Sequence, residues 1–154
     1  PNGALSGQNY PAFEAYLSAD QAVSDATLTK VQFDSEVLDT NNCYDNTTNY
    51  RFTPNVAGKY YVFTTITGFD AGNDLIRSDA RIHKNGSNTI QSLIYTNNTT
   101  GSNYFSPTAA GIIDMNGTTD YLEAFTYVDY VGSLGAVDGA GSMITHFGAY
   151  RIGA

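Results

Sequence analysis

Cysteine is nearly missing from this 154-residue chain, Cys43 being the single one. That excludes an intrachain disulfide framework and any zinc site built from several cysteines. Cys43 reads as a small buried hydrophobe, with a free thiol near a subunit contact as the alternative. Charge is scarce too, 14% of residues against a usual ~25%. Cations are scarcer still: seven Lys plus Arg, scattered singly, face 15 Asp plus Glu, for a net charge of -8. With no basic stripe to neutralise phosphates, nucleic acid is not expected as a partner. No apolar run approaches the ~20 residues that span a bilayer, so membrane insertion is not expected. No segment keeps a helical period. The chain starts at Pro1 with neither an initiator Met nor a signal-like segment, which reads as a removed leader or a piece of a longer polypeptide.

Asn, Thr, Gly and Tyr take the place of the missing charge, the profile of an extracellular or virion-surface β-protein. Residues 1–9 read as a flexible lead-in and residues 10–154 as one domain. The domain is organised around Phe52 to Phe63. Pro54 and Gly58 punctuate the start of a strand, because Pro lacks the ladder donor and Gly tolerates a turn that other residues resist. Tyr60 to Thr67 is then an unbroken aromatic, β-branched run with bulk on both alternating faces: Tyr60, Val62 and Ile66 on one, Tyr61 and Phe63 on the other. Such a strand needs a partner surface on each side.

Other strands follow from the same alternation: Tyr10 to Leu17, Thr29 to Phe33 with a continuation at Val37 to Asp39, and the hairpin of Ile76 to His83 and Asn88 to Tyr95 about Asn85-Gly86. In that hairpin Ala80 and Ile82 oppose Asp79, Arg81 and His83, so one face is expected in water. Tyr104 to Met115 is interrupted near Pro107, Asn116-Gly117 turns, and Thr119 to Val128 and Ser142 to Ile152 again carry two apolar faces. Gly68 to Asp74 and Gly132 to Gly141 read as loops. The pattern is an all-β sandwich of about eight to ten strands. One chain has no spare layer to cover the second apolar face, so symmetric self-association is expected.

No catalytic constellation is present: no nucleophile elbow, no His-Glu-x-x-His, no phosphate loop. The chain is therefore expected not to be an enzyme. Asp70 with Asp74, or Asp34 with Glu36 and Asp39, could be brought to the ~5 to 9.5 Å separation that glycoside cleavage needs, but loop acids are ordinarily just solvated. His83 and His146 sit on different strands. No cofactor is expected; calcium is the alternative, with Asp70, Asn73 and Asp74 as its oxygen ligands. Five Asn-x-Ser/Thr acceptors, at Asn46, Asn85, Asn97, Asn98 and Asn116, arise easily in loops this rich in Asn and Thr. Tyr95, Tyr104 and Tyr130 lie at loop ends, where a phenol suits sugars or proteins, and are the expected ligand contacts. Tyr61, Phe63, Tyr121, Phe125, Tyr127 and Tyr150 are the expected self-association residues.

These residues resemble the C1q/tumour-necrosis-factor-like jelly roll. The C1q signature runs Phe, five residues, Asn or Asp, four residues, an aromatic or Leu, six residues, Phe, five residues, Gly, any, Tyr, any, Phe. Phe33, Asp39 and Tyr44 fall in step; Phe52 comes one residue late; Gly58 and Tyr60 are again in step, and Val62 replaces the last Phe. Ala80 to Gly86, Thr119 to Glu123 and His146 to Ile152 resemble three further strands of the family, in order. The resemblance implies a ten-stranded jelly-roll sandwich assembling as a homotrimer around its inner sheets. It also implies a binding module, with calcium near the axis in some members. No Gly-X-Y collagen stalk is present. The low charge and the Asn, Thr and Gly content are similar to heads of phage or bacterial surface fibres. The expected function is attachment of a virion or surface-appendage head to a host glycan or protein receptor. The alternatives are a capsid or tail component that binds other virion or fibre proteins, a secreted ligand-binding protein, and a carbohydrate-active enzyme.

Overall fold

The computed structural model describes residues 10–72, 74–96, 103–132, 135–139 and 143–154. Among them are fifteen strand segments and no helix. In chain order these are β1 (Ala12–Tyr16), β2 (Gln21–Ala22), β3 (Thr27–Lys30), β4 (Ser35–Asp39), β5 (Tyr44–Asp45), β6 (Arg51–Phe52), β7 (Gly58–Thr65) and β8 (Gly68–Asp70). They continue with β9 (Leu75–Lys84), β10 (Ser87–Tyr95), β11 (Tyr104–Phe105), β12 (Thr108–Met115), β13 (Leu122–Tyr130), β14 (Gly135–Val137) and β15 (His146–Gly153). All pairings are antiparallel.

Two sheets form the sandwich. The first runs β12-β7-β15-β1-β4 and the second β10-β9-β13-β6-β5, with β3 also on β13. The Tyr60 run is interior to the first sheet, hydrogen-bonded to β12 and β15 on its two edges. Tyr60, Val62 and Thr64 point into the core, and Tyr61, Phe63 and Thr65 point out. Their inward partners across the core are Ala80 and Ile82 of β9 and Leu122, Ala124 and Val128 of β13.

Five aromatic rings join the layers. Phe13 stacks on Tyr44 at 4.6 Å and on Phe52 at 4.5 Å, and meets Phe147 edge-on at 4.9 Å. Phe33 completes the group against Phe147. The signature positions are thus packing positions. Phe33, Tyr44, Phe52 and Tyr60 are all buried, and the Asp39 carboxylate accepts the backbone N–H groups of Asn41, Cys43 and Tyr44 at the turn between them. The late arrival of Phe52 is absorbed in the following turn, where the Asp45 carboxylate accepts the N–H groups of Thr47, Thr48 and Asn49.

Segments expected as loops hold two more strands. β8 lies within 68–74 and β14 within 132–141, and they pair with each other in a small sheet, β11-β8-β14-β2. Their Gly and Asp content carries almost no strand signal; the ladder between distant segments supplies the order. These short pieces, with β5 and β6, raise the segment count above the expected ten. The second sheet also departs from expectation on its outer side, where Asp79 and His83 are buried.

Antiparallel register fixes which ends coincide. The Thr65, Thr108, His146 and Tyr16 ends of the first sheet lie together, and each leads within a few residues to the small sheet or its flanking turns. The Leu75 and Tyr130 ends of β9 and β13 do likewise. The small sheet therefore closes one end of the sandwich, while Ala12 and Gly153 lie at the other.

Gly58 has φ +147°, and a Cβ there would press on the Gly153 carbonyl and the Arg151 guanidinium. Gly58→Ala is expected to lower stability by roughly 1–3 kcal/mol, from backbone strain and the clash together. Chemical denaturation of the two proteins measures it; an unchanged midpoint would contradict the assignment.

Candidate functional site

Strand alternation puts Tyr61 and Phe63 of β7 on the outer face of the first sheet. Register then sets Ile112 and Tyr150 directly beside Tyr61, on β12 and β15. The Tyr61 ring lies 5.4 Å from Tyr150 and 6.1 Å from Phe63, and Phe63 lies 5.8 Å from His146. Gly148 makes room for this row, since a Cβ there would strike the Phe63 ring. Ile112 remains 61% exposed and Tyr150 46%. The face is thus a continuous aromatic and aliphatic surface at the middle of a sheet, open within the single chain.

The other three expected self-association residues lie elsewhere. Phe125 and Tyr127 lie on the outer side of β13 in the opposite sheet, and Tyr121 directly precedes that strand. There they serve as floors for cations of the same chain. Arg51 lies 4.0 Å over Tyr121, Arg77 4.8 Å over Tyr127, and Lys30 5.8 Å from Phe125. The six residues accordingly divide between two opposite faces of the sandwich. The cause is legible in hindsight: in Arg77-Ser78-Asp79-Ala80-Arg81 alternation sends both arginines and the aspartate to one side.

That side carries two buried carboxylates, each with two cations. Asp79 receives Arg77, Arg81 and the Gln91 amide. Glu123 receives Lys30 at 2.6 Å and Arg51 at 2.7 Å. His83 packs into the same surface, its ring 4.3 Å from Phe125 and its Nε2 buried without a partner.

The closed end holds the expected ligand and metal residues. Tyr104 stacks on Phe69 at 4.8 Å and is 50% exposed, and Tyr95 is 57% exposed. Tyr130 does not present itself as expected. It is 9% exposed, its hydroxyl donates to the Val23 carbonyl at 3.1 Å, and Gly135 lies against its ring. The alternation of β13 turns Tyr130 inward and leaves the next residue, Val131, outside. Asp70 is fully buried, and its Oδ2 accepts the Asp74 N–H at 2.9 Å. Asn73 lies outside the described residues.

Of the acids weighed for catalysis, Asp34 and Asp39 are each engaged by donors of the chain. Asp34 accepts from the Ser18 N–H and hydroxyl, and these bonds hold its carboxyl below the usual range against the opposing effect of burial. Asp39 closes its turn, and Glu36 sits on the rim of a polar cleft of about 580 Å³ that Asp45, Asn49 and Arg51 also line. His83 and His146 belong to different sheets. Among the described residues no group of three or more His, Cys, Asp or Glu side chains comes together to hold a metal ion.

Burial, with the Arg81 charge acting in the same direction, pushes His83 below its ordinary 6.5. Above that pH the imidazole is neutral in both folded and unfolded chains and contributes nothing to pH dependence. As the pH falls below it, the unfolded chain takes up a proton that the folded chain resists, so stability is lost. The urea midpoint is expected to fall between pH 7 and pH 5, and His83→Gln is expected to remove that slope. An equal slope in both proteins would refute the assignment to His83.

No family model matches the sequence, and no curated protein matches it. Solved structures do match. Murine APRIL superposes with a TM-score of 0.65 at 11% identity, over 94% of this chain and 100% of that one. Eiger TNF from S. frugiperda superposes with a TM-score of 0.66 at 12% identity, over 94% of each chain. With the two-layer antiparallel sandwich already described, the chain has the C1q/TNF-like jelly-roll fold.

Proposed function

We propose that the chain is a non-enzymatic binding module that assembles as a homotrimer through the outer face of the β7 sheet and presents its closed end to a ligand. One observation carries the reading: an aromatic surface of Tyr61, Phe63, Tyr150 and Ile112 lies open at the centre of a sheet whose other face is the core. Apolar area of this kind is stabilised by association, at about 25 cal/mol per Å² removed from water. In the three-fold assembly implied by the resemblance, inner sheets meet around the axis, and this is the corresponding sheet. Tyr121, Phe125 and Tyr127 drop out of the contact because cations of their own chain cover them.

The ligand end follows from the register. The strands bearing Ala12 and Gly153 start and finish at one end of the sandwich, and Tyr104, Phe69 and Tyr95 stand at the other. Exposed phenol rings there suit stacking on sugars and hydrogen bonding at their rims. The finer reading is an extracellular or virion-surface head that attaches to a host-surface glycan or protein. It is supported by the low charge and the Asn, Thr and Gly content. Asp34 and Asp39, two of the acids weighed for glycoside cleavage, are engaged with backbone and hydroxyl donors, which supports a binding role over an enzymatic one.

Light scattering is expected to give a mass near three chains, and Tyr61→Glu near one chain with an unchanged far-ultraviolet spectrum. A wild-type protein that stays at one chain across micromolar concentrations would overturn the reading. For the ligand end, retention on a glycan array is expected to drop at least about tenfold in Tyr104→Ala, the loss of one stacking contact worth ~1.4 kcal/mol, with the mass unaltered.

A further inference from the structure

A buried carboxylate is stable only when charge or several hydrogen bonds compensate it. Three buried acids of this chain obey that rule within the chain. Asp79 holds two guanidinium groups, Glu123 an ammonium and a guanidinium, and Asp120 the Lys84 ammonium, the Asn85 amide and the Asn116 N–H. Asp70 does not. Its exposure is 0%, its Oδ2 has one backbone N–H, and its Oδ1 has no partner.

The chain holds no cation to supply it. All seven Lys and Arg are committed elsewhere: Lys30 and Arg51 to Glu123, Lys59 to Asp114, Arg77 and Arg81 to Asp79, Lys84 to Asp120, and Arg151 to the Ala57 carbonyl. His83 packs on Phe125 and His146 is bonded to the Met143 carbonyl. A second orphan oxygen accompanies Asp70. Ser78 Oγ on β9 is buried without a partner and stands against Gly68, which shares the buried face of β8 with Asp70.

We propose that Asp70 is the anionic ligand of a calcium-class cation beneath β8, with Ser78 Oγ the further side-chain oxygen on that side. Both side-chain donors are oxygens, which suits a hard cation, and calcium tolerates an irregular shell completed by carbonyls and water. With a single carboxylate at its centre the site falls among weak extracellular sites, with Kd of about 10⁻⁴–10⁻³ M. The cation stabilises the end of the sandwich that carries Phe69 and Tyr104, because Asp70 adjoins Phe69 in β8 and its N–H is bonded to the Asn103 carbonyl. The inference stands apart from trimerisation and is read on the full chain in either oligomeric state.

The test is thermal unfolding in 10 mM calcium chloride and in chelator. Calcium is expected to raise Tm by about 3–11 °C, the shift that follows for a chain of this size at ten to a hundred times the dissociation constant. Asp70→Asn is expected to lose the calcium response while melting in chelator no lower than the wild type, since its uncompensated charge is gone. Equal wild-type Tm values in calcium and chelator would overturn the proposal, as would a full calcium shift in Asp70→Asn. If Asp70→Asn fails to fold, manganese titration of the wild-type chain decides by NMR. Selective broadening of the Phe69, Asp70 and Ser78 amide resonances supports the site, and broadening elsewhere or nowhere refutes it.

Discussion

The stack of Phe13 on Tyr44 and Phe52, closed by Phe147 and Phe33, is the contact through which two separate ladders become one core. Phe13 and Phe147 come from the first sheet, Tyr44 and Phe52 from short strands of the second. Backbone pairing fixes order within each sheet but says nothing about what lies ten ångströms away across the sandwich. Large rings at offset-stacked and edge-on spacings supply that information, along with buried area. The turns around Asp39 and Asp45 serve this stack, for they set Tyr44 and Phe52 opposite each other in the β5–β6 register, both against Phe13.

The second constraint is the shortage of positive charge. With so few cations, the buried acids Asp79, Glu123 and Asp120 each take particular arginines or lysines. The second sheet does this by alternation along β9 and β13, so that ionic rungs and aromatic rungs interleave on one surface. That surface is largely closed to solvent despite its polar sequence. The first sheet does the reverse, leaving apolar rings in the open. The two outer faces have thus exchanged the characters that composition alone would assign to them.

The sequence made the strands legible where alternation is strong, as in β7, β9, β10 and β13, and the Asn85-Gly86 turn where two successive residues need positive φ. It also made the signature positions legible, because burial leaves their identity little choice. It failed where order is supplied from far away. β8 and β14 are three-residue segments in glycine-rich stretches, paired with each other, and the burial of Tyr130 depends on Val23 and Gly135, remote from it in sequence or hidden in a loop. Tyr61 and Tyr127 looked equivalent, each an aromatic on the second face of a strand. What separates them is whether an arginine from a neighbouring rung lies over the ring, a matter of register that no single strand reveals.

The internal pairing of six of the seven lysines and arginines with carboxylates of the same chain bears on the proposed assembly. Each copy carries a net charge of -8. In the proposed assembly, contacts through the aromatic face are therefore apolar at close range, against a net repulsion between copies at long range. Since surface repulsion is screened beyond a Debye length of about 8 Å at physiological ionic strength, added salt favours such an assembly, whereas one held by ion pairs would loosen.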